Sequence, residues 1–129
     1  MTVLLDTHVV HWWSSEPERL SEAATRVVEG ADELAVSGVT WFELAWLARR
    51  ERITLTVPVS SWLAELAADV RTVPVTWRVA HTAASLPGSF PSDPADRVIY
   101  ATALEHGWPL VTKDGRMRDH AGPTDPTVW

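Results

Sequence analysis

The sequence predicts an α/β protein with three layers, in which helices cover both faces of a central, mainly parallel sheet. Short apolar and β-branched stretches alternate along the chain with longer stretches that carry helical signatures. Parallel strands need crossover connections, and this alternation supplies them. A second observation is that acidic residues stand at or just after the ends of several predicted strands, which is where ligands bind in such folds.

The first part of the chain predicts a strand followed by two helices. Residues 2–5 are apolar or β-branched, as in a buried strand, and they end on Asp6. A short helix is expected over residues 7–13. Ser21 is a typical N-cap for the next helix, which we expect to stop at Gly30.

The next strand leads to a glutamate that has two competing interpretations. Residues 33–39 are rich in valine and leucine, which predicts a strand. Thr40-Trp41-Phe42-Glu43 then fits a capping box, in which the Glu43 side chain reaches back to the Thr40 backbone. A position just beyond a strand also suits a functional acid, and the sequence favours neither interpretation.

The remaining short elements follow from caps and breakers. We expect an extended piece over residues 53–57, a helix capped by Ser60, a strand over residues 72–75 and a helix that runs from its cap Thr76 to Ser85. A loop with two prolines and a glycine follows over residues 86–92. Residues 110–112 predict a strand, and residues 127–129 predict an edge strand.

A buried helix with two acids at its start precedes that last pair of strands. Asp93 stands at the N-cap position, Pro94 takes the first helical position and Asp96 falls in the first turn. The helix is apolar almost all round, which places it in the core, and Gly107 is expected to end it. Carboxylates near a helix N-terminus are favoured by its dipole, so capping alone explains both acids. Asp114, before Gly115, likewise suits an ordinary turn.

Length and charge restrict the class of protein. The 129 residues suit one domain, residues 1–129. The formal net charge of −6 argues against general nucleic-acid binding, although four acids held in one metal site would leave a remainder of only −2. Two basic clusters are more typical of solvated faces than of binding patches. They are Arg49, Arg50 and Arg52, and Lys113, Arg116 and Arg118.

The compartment is predicted from what the sequence lacks. No apolar run approaches the ~20 residues of a membrane span, and the N-terminus has no basic region typical of a signal peptide. The sequence contains no cysteine, which fits a reducing environment. We therefore expect a cytoplasmic protein with no membrane contact.

Acids that converge on one edge of a sheet predict a site for hard divalent cations. Carboxylates in one cleft repel one another, and Mg²⁺ or Mn²⁺ relieves that repulsion through oxygen ligands. Such ions activate water and stabilise the leaving oxygen in phosphodiester hydrolysis. The sequence has no glycine-rich phosphate loop and no serine nucleophile elbow. His8 and His11 share a helical face, but two histidines without a third ligand are weak evidence for a metal site.

Four segments of the chain resemble the acidic motifs of PIN-domain ribonucleases, and more narrowly those of the VapC toxins of type II toxin–antitoxin pairs. The resemblance runs from Thr2 to about Arg118, with the motifs in the same order and at similar spacing. The segments are Val3-Leu4-Leu5-Asp6-Thr7-His8, Val36-Ser37-Gly38-Val39-Thr40-Trp41-Phe42-Glu43-Leu44, Asp93-Pro94-Ala95-Asp96-Arg97-Val98-Ile99 and Leu110-Val111-Thr112-Lys113-Asp114.

The resemblance implies a PIN-like fold, a set of site residues and a set of partners. The acids that match the family's ligands for Mg²⁺ or Mn²⁺ are Asp6, Glu43, Asp96 and Asp114. Asp93 matches an extra acid of one subgroup, and Thr112 matches a hydroxyl that orders the fourth acid. Arg97 fits the same pattern, either as a contact to RNA phosphate or as the partner of a neighbouring acid. The implied partners are a VapB-like antitoxin, a second copy in a homodimer, and tRNA or another structured RNA.

Two alternatives stay open at this point. One is a PIN nuclease that processes RNA and has no toxin role. The other is a degenerate PIN domain that binds a partner without catalysis, although all four acids of the pattern are present.

Overall fold

Five parallel strands form the centre of the protein in a computed structural model that describes residues 1–120 and 124–129. The strands are β1 (Thr2–Leu5), β2 (Glu33–Ser37), β3 (Arg71–Val73), β4 (Leu110–Val111) and β5 (Thr127–Val128), in the spatial order β3-β2-β1-β4-β5. Each pair of neighbouring strands is parallel. The predicted parallel sheet and the predicted edge strand at the C-terminal end are therefore confirmed.

Seven helices connect the strands within the described ranges. They are α1 (Thr7–Ser15), α2 (Glu22–Glu29), α3 (Gly38–Arg49), α4 (Val59–Asp69), α5 (Trp77–Ser85), α6 (Pro94–His106) and α7 (Gly115–Arg118), and a 3₁₀ turn (Pro17–Arg19) follows α1. The predicted caps Ser21, Thr76 and Asp93 each accept a hydrogen bond from the first turn of their helix. Gly107 ends α6 in the left-handed region, with φ 67°, as predicted.

Alternating side chains of the strands divide the core into two layers. Val3 and Leu5 of β1 pack with buried residues of the first four helices on one face of the sheet. Leu4 points to the other face and packs with Ile99 and Tyr100 of α6. Helix α5 lies against α6 on that side. The three-layer α/β/α arrangement that the sequence predicts is confirmed.

Several predicted element boundaries are wrong, and local chemistry explains two of them. Strand β2 ends at Ser37, two residues early, because the Ser37 hydroxyl accepts a hydrogen bond from the Val39 N–H (3.3 Å) and starts α3. Ser60 does not cap α4, which begins directly after Pro58 and has no side-chain cap. Residues 53–57, predicted to be extended, belong to no strand of the sheet, and β3 covers Arg71–Val73, where residues 72–75 were predicted.

The order of the strands creates a crevice at the carboxyl end of β1. The chain passes from β1 to β2 and β3 on one side, then returns to β4 and β5 on the other side. In open parallel sheets, ligands bind where the strand order reverses in this way. Within the described part of the chain, none of the helices is long and apolar enough to cross a membrane.

Candidate metal and nuclease site

An open cleft of about 490 Å³ lies at the carboxyl end of β1 and brings the predicted acids together. Five carboxylates line it, and we call it the acid cleft. They are Asp6, Glu43, Asp93, Asp96 and Asp114. Lys113 and Arg116 line the same cleft, as do His8 and Trp12. The predicted meeting of acids from four separate segments at one edge of the sheet is thus confirmed.

Asp6 is the most buried of these acids and the most firmly held. It follows β1 directly, and its backbone N–H donates to the carbonyl of Val111 (3.1 Å). One carboxylate oxygen accepts from the Thr7 N–H (2.8 Å), and the other accepts from the Thr112 hydroxyl (2.6 Å). Burial raises the pKa of Asp6, and these two hydrogen bonds lower it less than burial raises it.

Glu43 reaches the acid cleft from the second turn of α3. Its carboxylate accepts a hydrogen bond from the Thr7 hydroxyl, so it does not return to the Thr40 backbone. Of the two interpretations left open, the capping box is wrong, because Ser37 caps the helix and places Thr40 inside it, buried and 3.3 Å from the Thr7 hydroxyl. Burial raises the pKa of Glu43, and the charges of Asp6 and Asp93 raise it further.

Asp93 and Asp96 reach the cleft from the N-terminus of α6, but only Asp93 caps the helix. The Asp93 carboxylate accepts from the Asp96 N–H (3.1 Å). The Asp96 side chain is 15% exposed. Burial, followed by the charges of Asp6, Asp93, Asp114 and Glu43, raises the pKa of Asp96 to about 7. Asp96 is therefore costly to ionise in this cleft.

Thr112 connects the first and fourth acidic segments. Its hydroxyl donates to Asp6 and accepts from the Asp114 N–H (3.0 Å). The Asp114 carboxylate accepts from the Arg116 N–H (2.9 Å) and caps α7, so Asp114 opens a short helix. Thr112 is fully buried, which fixes this link inside the protein.

Arg116 is a component of the cleft that the sequence analysis missed. One of its Nη atoms lies 3.7 Å from Asp96 Oδ2 and 3.5 Å from Asp114 Oδ2. Thr7 was also missed, although it contacts Asp6 and Glu43. The signal for Arg116 was its position two residues after Asp114, in the first turn of a helix; for Thr7 it was adjacency to Asp6 at a strand end.

Arg97 has a structural position that differs from both predicted ones. Its guanidinium donates to five backbone carbonyl oxygens, at 2.9–3.3 Å. The acceptors belong to Ala83, Leu86, Pro87, Phe90 and Pro91. All three guanidinium nitrogens are used, so Arg97 pairs with no acid in the described residues and is not free to contact RNA phosphate.

The two histidines of α1 share one cleft, and only His8 also reaches the acids. His8 lines the acid cleft and a neighbouring cleft, and His11 lines the neighbouring cleft, 3.8 Å from Glu16. Within residues 1–120 and 124–129, no three histidine, aspartate or glutamate side chains are close enough together to form a ready-made metal site.

Comparison with known proteins identifies the family. The model of the PIN domain family matches residues 3–123. Ribonuclease VapC22 of Mycobacterium tuberculosis (strain ATCC 25618 / H37Rv) is 65% identical over 128 residues, which cover 99% of this chain and 98% of that protein. The match covers nearly the whole of both proteins, so it includes the acid cleft and both layers of the core.

Solved structures share the fold at lower sequence identity. A toxin–antitoxin complex from Klebsiella pneumoniae matches with a TM-score of 0.69 and 22% identity, over 98% of this chain and 96% of that chain. VapBC2 from Rickettsia felis, bound to a DNA fragment from its promoter, matches with a TM-score of 0.71 and 14% identity, over 99% and 98%. The family match, the full-length relative and the shared fold agree, and this chain belongs to the PIN-domain family, in the branch of the VapC ribonucleases.

Proposed function

We propose that this protein is a divalent-metal-dependent endoribonuclease that acts as the toxin of a type II toxin–antitoxin pair and cleaves tRNA or another structured RNA. The observation that carries the proposal is the acid cleft itself. Five carboxylates from four separate segments face one space, and the pKa values of Asp6, Glu43 and Asp96 are raised. Carboxylates arranged at such a cost are typical of a functional site.

The donor set fits Mg²⁺ or Mn²⁺. All the candidate ligands are carboxylate oxygens, which hard divalent cations prefer. The residues that would hold the ion are Asp6, Glu43, Asp96 and Asp114, with Asp93 as an additional acid. When bound, a divalent cation lowers the pKa of its water and stabilises charge on the phosphodiester oxygens.

The residues around the acids would prepare them for this chemistry. Thr112 and the Thr7 N–H hold both oxygens of Asp6 in place, and Thr112 also orients Asp114. The raised pKa of Asp96 means that its charged form is costly without a cation, and a bound divalent cation would favour that form. Lys113 and Arg116 at the rim would attract the RNA phosphate.

The partners are proposed from the relatives. The structural neighbours from Klebsiella pneumoniae and Rickettsia felis are toxin–antitoxin complexes, which supports a VapB-like antitoxin for this chain. We further propose that residues 1–129 act as one domain and form a homodimer. A toxin of this kind acts on cellular RNA, so its site of action would be the cytoplasm.

Cleavage of a mixed small-RNA pool tests the proposal. Purified wild type, Asp96→Asn and the control Asp69→Asn, which changes an exposed acid on α4, are compared with Mn²⁺ and with EDTA. We expect cleavage by wild type and by Asp69→Asn with Mn²⁺ only, and a loss of at least about 100-fold in Asp96→Asn. Equal cleavage by all three proteins, or cleavage in EDTA, would contradict the proposal.

The toxin role needs its own measurement, because a PIN nuclease of RNA processing would pass the cleavage test. Expression of wild type is expected to arrest growth, and co-expression of the protein encoded by a short neighbouring gene is expected to restore it. Growth arrest without rescue would favour the processing nuclease. A protein that binds no Mn²⁺ would instead be a PIN domain that only binds a partner.

A further inference from the structure

A second cleft of about 530 Å³ opens beside the acid cleft, and the function proposed above does not use it. We call it the arginine cleft. It lies between α1, the 3₁₀ turn and the segment that follows α3, and it is lined by Arg19, Arg52 and Glu16 among others. It shares His8 and Trp12 with the acid cleft, so the two clefts adjoin at these residues.

The arginine cleft carries a net positive charge. Arg19 and Arg52 both line it and are exposed, and Glu16 is the one carboxylate among its described lining residues. Glu16 lies 3.6 Å from Arg19, and Arg52 has no carboxylate partner in the described ranges. Burial lowers the pKa of His11, so this histidine adds no charge at neutral pH.

Trp12 lines both clefts, and its ring lies close to one cation from each. The guanidinium of Arg19, which lines the arginine cleft, lies 4.9 Å from the centre of the Trp12 ring. The Lys113 ammonium lies 5.8 Å from the same ring and lines the acid cleft. Arg116 lies on the acids themselves. Cations therefore line both of the adjoining clefts.

We propose that the arginine cleft binds the ribose-phosphate backbone of the RNA strand next to the cleaved bond, with Arg19 and Arg52 contacting its phosphates. This inference rests on the proposed function, since the strand must pass through the acid cleft. An RNA strand continues beyond the reacting phosphate, and the arginine cleft adjoins the acid cleft where that continuation would lie. Guanidinium groups bind phosphate through paired N–H donors, which suits arginine at this position.

Charge supports RNA as the occupant over an acidic peptide. The chain carries a net charge of −6, so RNA is repelled from most of its surface and attracted only where cations gather. The acid cleft repels a peptide carboxylate and a phosphate alike. Only the phosphodiester, however, is the substrate of the reaction proposed for that cleft. Charge therefore favours one RNA strand as the occupant of both clefts.

The salt dependence of RNA binding tests the proposal with a matched control. Binding of fluorescein-labelled bulk tRNA is measured by anisotropy in Mg²⁺ across a salt series, with Asp96→Asn as the background that prevents cleavage. Arg19→Gln/Arg52→Gln is compared with Arg26→Gln/Arg78→Gln, which removes the same charge from two exposed arginines outside both clefts. Melting temperatures of all variants are recorded.

The slope of log affinity against log salt distinguishes the outcomes. Two lost phosphate contacts are expected to reduce the slope by about 1.4 in Arg19→Gln/Arg52→Gln, while the control pair keeps the slope of the background. Equal slopes in the two pairs would overturn the inference. Equal slopes together with lost binding of the purified antitoxin would assign the cleft to a protein partner instead.

Failure of the proposed function is recognised separately. The Mn²⁺-dependent cleavage assay of wild type is run in parallel with the binding series. If wild type cleaves RNA and both arginine pairs behave alike, only the inference about the arginine cleft falls. If wild type neither cleaves nor binds RNA, both proposals fall.

Discussion

The acids of the cleft differ in how many donors each one finds. Asp6 accepts hydrogen bonds at both carboxylate oxygens, while Asp93 and Asp114 each accept one from the helix they cap. Asp96 accepts none from the described residues and has only the ion pair with Arg116, at 3.7 Å. The Asp96 carboxylate is mostly buried, and the charges of the other four acids of the cleft also oppose its ionisation, so its pKa rises to about 7.

This imbalance predicts a pH-dependent gain in stability from Asp96→Asn in EDTA. The pKa of Asp96 is about 7 in the folded state against an ordinary value of 3.8, so the folded state binds the proton more tightly. Stability is therefore retained at low pH and lost as the pH rises from about 4 to about 7. Asparagine removes that loss. The variant should be more stable than wild type by roughly 2 kcal/mol above pH 7, since solvent screening and the coupled titration of the neighbouring acids reduce the effect of the shift.

Urea unfolding at several pH values measures the difference. The advantage of Asp96→Asn should shrink towards zero below pH 4, where Asp96 of wild type is protonated in both states. Asp69→Asn serves as the exposed control and should stay within about 0.5 kcal/mol of wild type. A destabilised Asp96→Asn at pH 8 would show that this acid is a structural part of α6.

At the level of the elements, helix caps were predictable where one candidate stood alone. Ser21, Thr76 and Asp93 each precede an apolar run and cap the predicted helix. The start of α3 was mispredicted because Ser37 and Thr40 both suit an N-cap. The choice depends on Thr7, a partner 33 residues away that binds the Thr40 hydroxyl, and no local pattern contains that information.

Arg97 joins three elements that the sequence shows only as neighbours. It lies on α6, and its guanidinium contacts carbonyls at the end of α5 and along the loop between the two helices. That loop leads directly into Asp93 and Asp96. Arg97 therefore holds the approach to the acid cleft in place, and a basic residue beside acids misled the sequence analysis because its acceptors are backbone atoms.

Substitution Arg97→Gln should destabilise the fold by about 2–4 kcal/mol, because carbonyl oxygens lose charge-assisted donors. Urea unfolding of Arg97→Gln is compared with that of Arg78→Gln, an exposed arginine of α5 that should cost less than about 0.5 kcal/mol. If the two variants unfold at the same urea concentration, the five contacts contribute nothing to stability.

On the scale of the whole molecule, the topology explains why the acids could be found from the sequence. Parallel strands direct their carboxyl ends to one edge, so acids that follow β1, β2 and β4 must meet there. The alternation of strands and helices predicted the layers for the same reason. The order β3-β2-β1-β4-β5 was not predictable, because strand order depends on packing between distant segments.

The positions of the cations around the two clefts could not be predicted from the sequence. Arg52 and Arg116 both belong to clusters that were interpreted as solvated faces, and each lines a cleft in the structure. Arg19 attracted no attention in the sequence, although it lies over Trp12. The position of an acid at a strand end is determined by the topology. A long basic side chain can extend in several directions, and the direction it takes depends on the folded structure around it.

Direct titration of Mn²⁺ into the metal-free protein tests the central claim that the acid cleft is a cation site. Wild type and Asp69→Asn are expected to bind Mn²⁺ with the same affinity, and Asp96→Asn is expected to bind it at least about 10-fold more weakly. Binding should release protons at neutral pH, since the pKa of Asp96 lies near 7. Unchanged affinity in Asp96→Asn, or no binding by wild type, would contradict the account.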